Sequence, residues 1–195
     1  MKIYKVVVGM LGTNCYIVAS EKNNAFIIDP GDNSEKIKDV ISKHNLNALF
    51  IVNTHGHVDH IKDNAVFGLP VYVHEMENAM VSDPKENLTS AFLGSFDPVV
   101  PARLLKDADT VELDELSFRV LHTPGHTLGG ICLYGGGVLF SGDTLFCAGV
   151  GRTDFPGGSY KLLSESLKNL SKLPSDTKVY PGHGQETTIG GELSF

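Results

Sequence analysis

The sequence predicts an α/β protein in which two β-sheets pack face to face and helices cover them. Three observations support this fold class. Short apolar segments typical of strands recur along the 195 residues, amphipathic helical segments lie between some of them, and no linker or change in composition divides the chain. Because the length also fits one large domain, a single domain over residues 1–195 is expected.

The first half of the chain alternates strands with one clear helix. A helix capped by Asn33 or Ser34 is expected to run to about His44, because apolar residues such as Ile37 and Ile41 recur on one face. Strands are predicted at residues 2–8, 13–19, 25–28, 48–53 and 71–74.

The second half predicts further strands and one helix. Residues 82–101 contain three prolines and weak periodicity, so an excursion or lid that covers the site is expected there. A helix fits residues 159–172, whose inward positions are Leu162, Leu163, Ser166, Leu167 and Leu170. Strands are predicted near 109–113, 116–121, 130–134, 137–140 and 178–180.

The composition, 42% apolar and 20% charged, is that of a globular protein. It contains no run of about 18 apolar residues that could cross a membrane, and a net charge of −7 disfavours a nucleic-acid partner. Glycines, Thr13 and Asn14 interrupt any signal-peptide core, and three widely spaced cysteines fit neither a disulfide framework nor a thiolate zinc site. The cytoplasm is therefore the expected location; nothing in the sequence indicates the oligomeric state.

The segment from Thr54 to His60 carries the strongest chemical signal. Three imidazoles and a carboxylate (His55, His57, Asp59, His60) occur within six residues, in a predicted loop directly after a buried strand. Alternate residues of an extended segment point the same way, and Gly56 leaves room for an ion between two of the histidines. Imidazole nitrogens and carboxylate oxygens suit zinc, and less selectively manganese or iron.

Three later loops follow the same pattern of apolar strand, glycine and ligand-type residue. They carry His126 (with His122 nearby), Asp143 and His183. Because loops at one edge of a sheet converge, four such loops can build one site. The resulting seven ligands exceed the needs of one zinc ion and fit two metal ions that share a carboxylate and a hydroxide.

The order of these motifs resembles the metallo-β-lactamase superfamily. The motifs are HxHxDH at 55–60, GHT at 125–127, GDT at 142–144 and PGHG at 181–184. Four further segments resemble the glyoxalase II (hydroxyacylglutathione hydrolase) branch: residues 12–16, 29–31, 151–155 and 187–190. The chain stops at Phe195, where full glyoxalase II continues into a helical extension that supplies basic residues for glutathione. The resemblance is therefore to shorter, single-domain relatives, and it covers the metal chemistry but not glutathione recognition.

The resemblance implies an αββα sandwich of two mixed β-sheets flanked by helices, with the metals at one edge. It implies that His55, His57 and His126 hold the first metal, that Asp59, His60 and His183 hold the second, and that Asp143 bridges them. Asp29 would sit beneath the site and orient a ligand, although a plain turn residue is an almost equal interpretation. His122 is not a ligand in this pattern.

The activity that follows is hydrolysis of a small-molecule thioester or ester, such as S-2-hydroxyacylglutathione, by a metal-bound hydroxide that Asp59 helps to orient. One alternative is a mononuclear-iron persulfide dioxygenase, since the GRTDF segment also occurs there and such sites resemble the positions of His55, His126 and Asp143. Another metallo-hydrolase, acting on a lactone, ester or phosphodiester, remains open. The net negative charge disfavours a nuclease, and the missing export signal weakly disfavours a β-lactamase. A metal-binding scaffold is a further alternative, which would show no turnover.

Five residues near the motifs have two interpretations each. Arg152 could bind a substrate carboxylate or pair with Asp154. Phe146 and Phe155, like Tyr16, could line a pocket or simply pack. Cys147, four residues after Asp143, could lie near the metals, but it is expected to be a small buried residue.

Overall fold

The computed structural model describes residues 1–92 and 97–193. Two six-stranded mixed sheets face each other, and helices pack on their outer faces. This is the αββα arrangement that the sequence predicts. Within the described residues, every helix is too short or too polar to traverse a lipid bilayer.

The first sheet is built from the N-terminal half of the chain. Its strands lie side by side in chain order. The first three run antiparallel, and the others follow in parallel because each is reached by a crossover connection. They are β1 (Lys2–Val8), β2 (Thr13–Ala19), β3 (Asn24–Ile28), β4 (Asn47–Val52), β5 (Val71–His74) and β6 (Arg103–Leu105).

The second sheet comes from the C-terminal half. The strands in this half are β7 (Thr110–Leu113), β8 (Leu116–His122), β9 (Ile131–Gly135), β10 (Val138–Gly142), the small hairpin β11 (Leu145–Phe146) and β12 (Gly149–Val150), then β13 (Lys178–Pro181) and β14 (Thr187–Thr188). The sheet order is β14-β13-β10-β9-β8-β7, with β10 and β13 parallel and the other pairs antiparallel.

Two helices of ten residues or more cover the sheets. They and the shorter helices are α1 (Ser34–Lys43), α2 (Val58–Ile61), α3 (Asn64–Phe67), α4 (Thr89–Phe92), α5 (Tyr160–Leu170) and α6 (Ile189–Glu192), with a 3-10 turn at Glu75–Glu77. Ile37 of α1 packs on the first sheet, and Leu170 of α5 packs on the second. Both are buried residues on the apolar faces that the sequence predicts.

Aromatic rings join the two sheets in the central core. The Phe26 ring of β3 stacks on Phe50 with centroids 5.2 Å apart, and it meets Phe118 of the opposite sheet edge-on at 5.5 Å. Phe118 also contacts Phe140 at 5.9 Å. The buried faces of the two sheets therefore pack directly against each other.

Some local expectations need correction. The predicted loop from Thr54 to His60 contains the start of α2 at Val58. Asn33 occupies the position before α1 with φ of 52°, and its side chain accepts from Gly9 N instead of capping the helix. Of the expected lid, residues 93–96 lie outside the described part. The described remainder consists of turns, α4 and an irregular segment at 97–101.

The pattern alone did not predict the shortest elements. These are β6, β11, β12, β14, α3, α4, α6 and the 3-10 turn. Most segments of two to four residues have too little periodicity to identify, and their conformation is set by what they pack against. The four-residue strands β5, β7 and β13 are the ones of this length that the apolar pattern did predict.

Replacing Phe26 by Ala should lower the free energy of unfolding by about 3–5 kcal/mol, because the cavity would open between the two sheets. Leu49→Ala on the neighbouring strand is the control, since that side chain is 40% exposed and should cost about 1 kcal/mol or less. Denaturant unfolding measures both. Equal losses in the two variants would contradict this account of the core.

Candidate functional site

The ligand-type residues lie where strands end at one edge of the sandwich. The first four follow β4 in the loop and in α2, and the others follow β8, β10 and β13. These strands deliver their carboxyl ends to the same edge. The structure thus brings together all seven residues that the sequence singled out: His55, His57, Asp59, His60, His126, Asp143 and His183.

Three imidazoles form the first group. Nε2 of His55 lies 3.1 Å from Nδ1 of His57, and Nε2 of His126 lies 2.9 Å from the same Nδ1. All three residues are buried. Their nitrogens converge closely enough for the group to hold one metal ion.

A carboxylate and two imidazoles form the second group. Oδ2 of Asp59 lies 3.5 Å from Nε2 of His60 and 3.3 Å from Nε2 of His183. The two Nε2 atoms are 3.3 Å apart. This group, too, could hold a metal ion.

Asp143 lies between the two groups. Its Oδ2 is 3.6 Å from Nε2 of His126 in the first group and 3.6 Å from Nε2 of His183 in the second. Its Oδ1 is 3.5 Å from Nε2 of His60. One carboxylate therefore faces both groups at once, as a bridging ligand must.

The protonation of the imidazoles fits cation binding. Nδ1 of His126 lies 2.7 Å from the carbonyl oxygen of Arg152, and Nδ1 of His183 lies 3.2 Å from that of Leu11. A carbonyl only accepts, so each Nδ1 carries the proton and each Nε2 presents a lone pair to the site.

The nitrogens of the first group also need a positive charge between them. A single proton on Nδ1 of His57 could serve only one of its two short contacts, to His55 or to His126. Among the described residues, the buried Oδ1 of Asp143 has no hydrogen-bond partner. Buried lone pairs left facing one another in this way fit a metal ion.

Asp29 ties the two groups together from below. At the end of β3, with φ of 53°, it accepts from Thr54 N at 2.8 Å and from Thr54 Oγ1 at 2.6 Å. It also accepts from Nδ1 of His60 at 2.9 Å. Thr54 Oγ1 in turn lies 3.2 Å from Nδ1 of His55. One buried carboxylate thereby orients a histidine of each group.

The site stabilises positive charge on one side and keeps its imidazoles neutral on the other. Burial and the neighbouring His126 and His60 lower the pKa of His57 to about 3. Burial opposes protonation of His60 as well, but Asp59, Asp143 and Asp29 outweigh it and raise the pKa of His60 to about 10. The cluster of carboxylates therefore attracts positive charge, which a divalent metal ion would supply.

Glu77, in the 3-10 turn, is a supporting residue that the sequence analysis missed. Its Oε2 accepts from Gly56 N at 2.7 Å, between two ligand histidines, and its Oε1 accepts from Gly129 N at 2.6 Å in the His126 loop. Burial raises its pKa against the opposing effect of these bonds. No periodicity or spacing marks it, because its partners are 21 and 52 residues away.

Gly56 and Gly129 leave the space that the Glu77 side chain occupies. A Cβ atom on Gly56 would lie 2.5 Å from Cβ of Met80 and 3.0 Å from Oε2 of Glu77. A Cβ on Gly129 would lie 2.7 Å from Cγ of Glu77. The backbones of both ligand loops approach Glu77 too closely for any larger residue.

A cleft of about 410 Å³ opens beside the two groups. Phe146, Phe155 and Arg152 line it, together with Leu88 from the segment expected to be a lid. Tyr16 does not line it: its ring is in the core, and its hydroxyl donates to Pro181 O.

Three other side chains near the site have defined positions. Arg152 makes a bidentate pair with Asp154 at 2.7 and 2.6 Å, which lowers the pKa of Asp154 to about 2. Cys147 is exposed, contrary to the expectation, because it sits in the turn between β11 and β12. His122 lies outside both groups and stacks on His74 with centroids 4.2 Å apart.

Comparisons with known proteins show which family this chain is similar to. A family model described as the metallo-beta-lactamase superfamily matches residues 8–183. The chain is 34% identical to hydroxyacylglutathione hydrolase GloC of Haemophilus influenzae, over 98% of this chain and 95% of that protein.

Two solved structures are similar over nearly their whole length. The BLEG-1 B3 metallo-beta-lactamase has a TM-score of 0.90 at 36% identity, covering 100% of this chain and 97% of that one. TTHA1623 in a di-iron-bound form has a TM-score of 0.87 at 37% identity, covering 96% of each chain.

Replacing Glu77 by Gln should weaken metal binding by about 10- to 100-fold. A glutamine has one carbonyl oxygen, so one of the two loop N–H groups would face an amide N–H and lose its acceptor. Competition with a chromophoric chelator measures the affinity, and unfolding of the metal-free variant separates lost positioning from general destabilisation. Glu75→Gln, whose side chain contacts Lys106 at the surface, is the matched control and should bind metal normally. An affinity within twofold of the unmodified protein for Glu77→Gln would refute this role.

Proposed function

The chain belongs to the metallo-beta-lactamase superfamily, and on that premise we propose that it is a metal-dependent hydrolase that cleaves a thioester such as S-2-hydroxyacylglutathione. The observation that carries the proposal is the pair of ligand groups joined by one carboxylate, Asp143. The relative named hydroxyacylglutathione hydrolase supports the choice of a thioester. In the reaction, water adds to the acyl carbon, the carbon–sulfur bond breaks, and a carboxylic acid and a thiol leave.

The seven side chains would hold two divalent metal ions. His55, His57 and His126 would bind one, Asp59, His60 and His183 the other, and Asp143 both. Zinc suits this donor set best, with iron or manganese as alternatives. When bound, the two ions lower the pKa of a water molecule and stabilise negative charge on the substrate oxygen.

Asp59 is the proposed catalytic carboxylate of the chain itself. It lines the cleft, and Thr13 Oγ1 donates to its Oδ2 at 2.9 Å. Burial opposes its ionisation, but the adjacent His60 and His183 outweigh that effect and hold its pKa below the usual range. An ionised Asp59 can accept a hydrogen bond from the attacking water and so orient it towards the acyl carbon.

The histidines contribute orientation. Apart from His57, whose Nε2 has no hydrogen-bond partner among the described residues, each is held by an acceptor behind it, such as Asp29 for His60 and a backbone carbonyl for His126. Rings held in this way keep their lone pairs directed into the site without reorganisation during the reaction.

Oxidation of a persulfide at a single iron is the second candidate. His55, His126 and Asp143 lie in one part of the site. TTHA1623, described as a di-iron-bound form, supports iron as the metal, although with two ions and not one. The likeness to BLEG-1 also makes β-lactams a substrate class to include in any assay.

Asp143→Ala should lower both metal content and thioester turnover, the latter by about a hundredfold or more, because the shared ligand is lost. Hydrolysis of S-D-lactoylglutathione and elemental analysis of the purified variant measure the two. Asp176→Ala, an exposed aspartate near β13, is the control and should match the unmodified protein. Normal metal content and turnover in Asp143→Ala would overturn the bridging assignment.

The metal complement separates the two candidate reactions. A hydrolase of this design should contain two divalent ions per chain and consume no oxygen. One iron per chain, with oxygen uptake on addition of glutathione persulfide, would replace the hydrolase proposal with the dioxygenase.

A further inference from the structure

The cleft beside the ligand groups is walled largely by apolar side chains. Apart from the residues of the two groups and Arg152, the side chains that line it are Leu11, Val58, Leu88, Phe146, Val150 and Phe155. They come from the β1–β2 turn, α2, the segment before α4, the β11–β12 hairpin and the loop before α5. Apolar side chains from five separate parts of the fold thus line the same cleft.

Both ligand groups face this apolar wall. The Phe155 ring meets His57 of the first group edge-on with centroids 5.7 Å apart. Phe146 approaches His183 of the second group in the same way at 6.1 Å. Each ligand group therefore has an aromatic ring beside it on the cleft side.

The apolar surface continues to the rim. Leu11 is 52% exposed and the adjacent Met10 is 85% exposed. Both belong to the β1–β2 turn, which is held against the site because the Leu11 carbonyl accepts a hydrogen bond from His183. Val150 is 42% exposed on the opposite hairpin. Side chains held open to solvent in this position gain free energy when an apolar ligand covers them.

Among the residues that the structure describes, Arg152 is the one Lys or Arg lining the cleft. Its Nε and Nη2 donate to Asp154, and its guanidinium lies 3.9 Å from the Phe155 ring centroid. Asp154 therefore already neutralises most of the charge of Arg152, and a substrate carboxylate bound there would lie close to a second negative charge. Glutathione has two carboxylates, so the cleft is poorly equipped to recognise it.

We infer that the preferred substrate is a thioester with an apolar acyl group, and that the carboxylates of its thiol component are not recognised by the protein. The inference rests on the proposed thioester hydrolysis. It keeps the thioester but makes S-2-hydroxyacylglutathione, with its polar acyl group and charged thiol, a poorer substrate than an apolar acyl thioester. The apolar acyl chain lies against Phe146, Val150 and Leu11, while the thiol leaves toward solvent.

A two-way panel of thioesters tests this inference with the metal-loaded protein. The acetyl, butyryl and hexanoyl thioesters of N-acetylcysteamine, which is uncharged, are compared with those of glutathione. We expect kcat/KM to rise by up to about fourfold per methylene group along each series. The two thiols should differ by less than about threefold at each chain length.

Two outcomes would overturn the inference. One is a rate that stays constant or falls with chain length; the other is a glutathione thioester cleaved more than tenfold faster than its N-acetylcysteamine counterpart. S-D-lactoylglutathione is assayed beside the panel. If neither it nor any thioester of the panel is cleaved, the proposed function fails instead, so the two failures are distinguishable.

A nearly isosteric variant locates the preference in the cleft. Val150→Thr replaces one methyl group by a hydroxyl and should lower the ratio of hexanoyl to acetyl turnover severalfold. Val66→Thr, the same change at an exposed position on α3, should leave the ratio unaltered. An unchanged ratio in Val150→Thr would show that the acyl chain does not bind there.

Discussion

The hydrogen bonds of the Asp29 carboxylate determine the geometry of the site. Asp29 is 1% exposed, and a buried carboxylate is tolerated only when hydrogen bonds replace its lost water. Thr54 and His60 provide those bonds, and His55 joins through Thr54. One histidine of each ligand group is thereby fixed to the end of β3. Glu77 restrains the same loop from the other side through Gly56 and joins it to the His126 loop.

The sandwich supplies the frame on which these bonds act. β4, β8, β10 and β13 end at one edge, so residues far apart in the chain meet without long connecting segments. The packed aromatic rings around Phe26 hold the two sheets in a fixed position relative to each other at the site. Because the cleft walls come from turns and short hairpins at this edge, substrate preference can vary without any change in the ligand set.

Much of the fold and most of the site could be predicted from local pattern. The main strands and both longer helices carry clear periodicity, and the HxHxDH, GHT, GDT and PGHG motifs each follow a strand within a few residues. Glu77 was missed because its role depends on two backbone N–H groups brought to it by the fold. The choice between the two roles of Arg152 and the exposure of Cys147 likewise depend on tertiary packing, which no spacing encodes.

Anomalous diffraction from crystals of zinc-loaded protein, recorded at the zinc absorption edge, can show whether these seven side chains bind two metal ions. We expect two peaks, one within about 2.0–2.3 Å of nitrogens of His55, His57 and His126, the other at similar distances from Asp59, His60 and His183. Asp143 should lie within bonding distance of both. A single peak, or peaks away from these side chains, would show that the two-metal assignment is wrong.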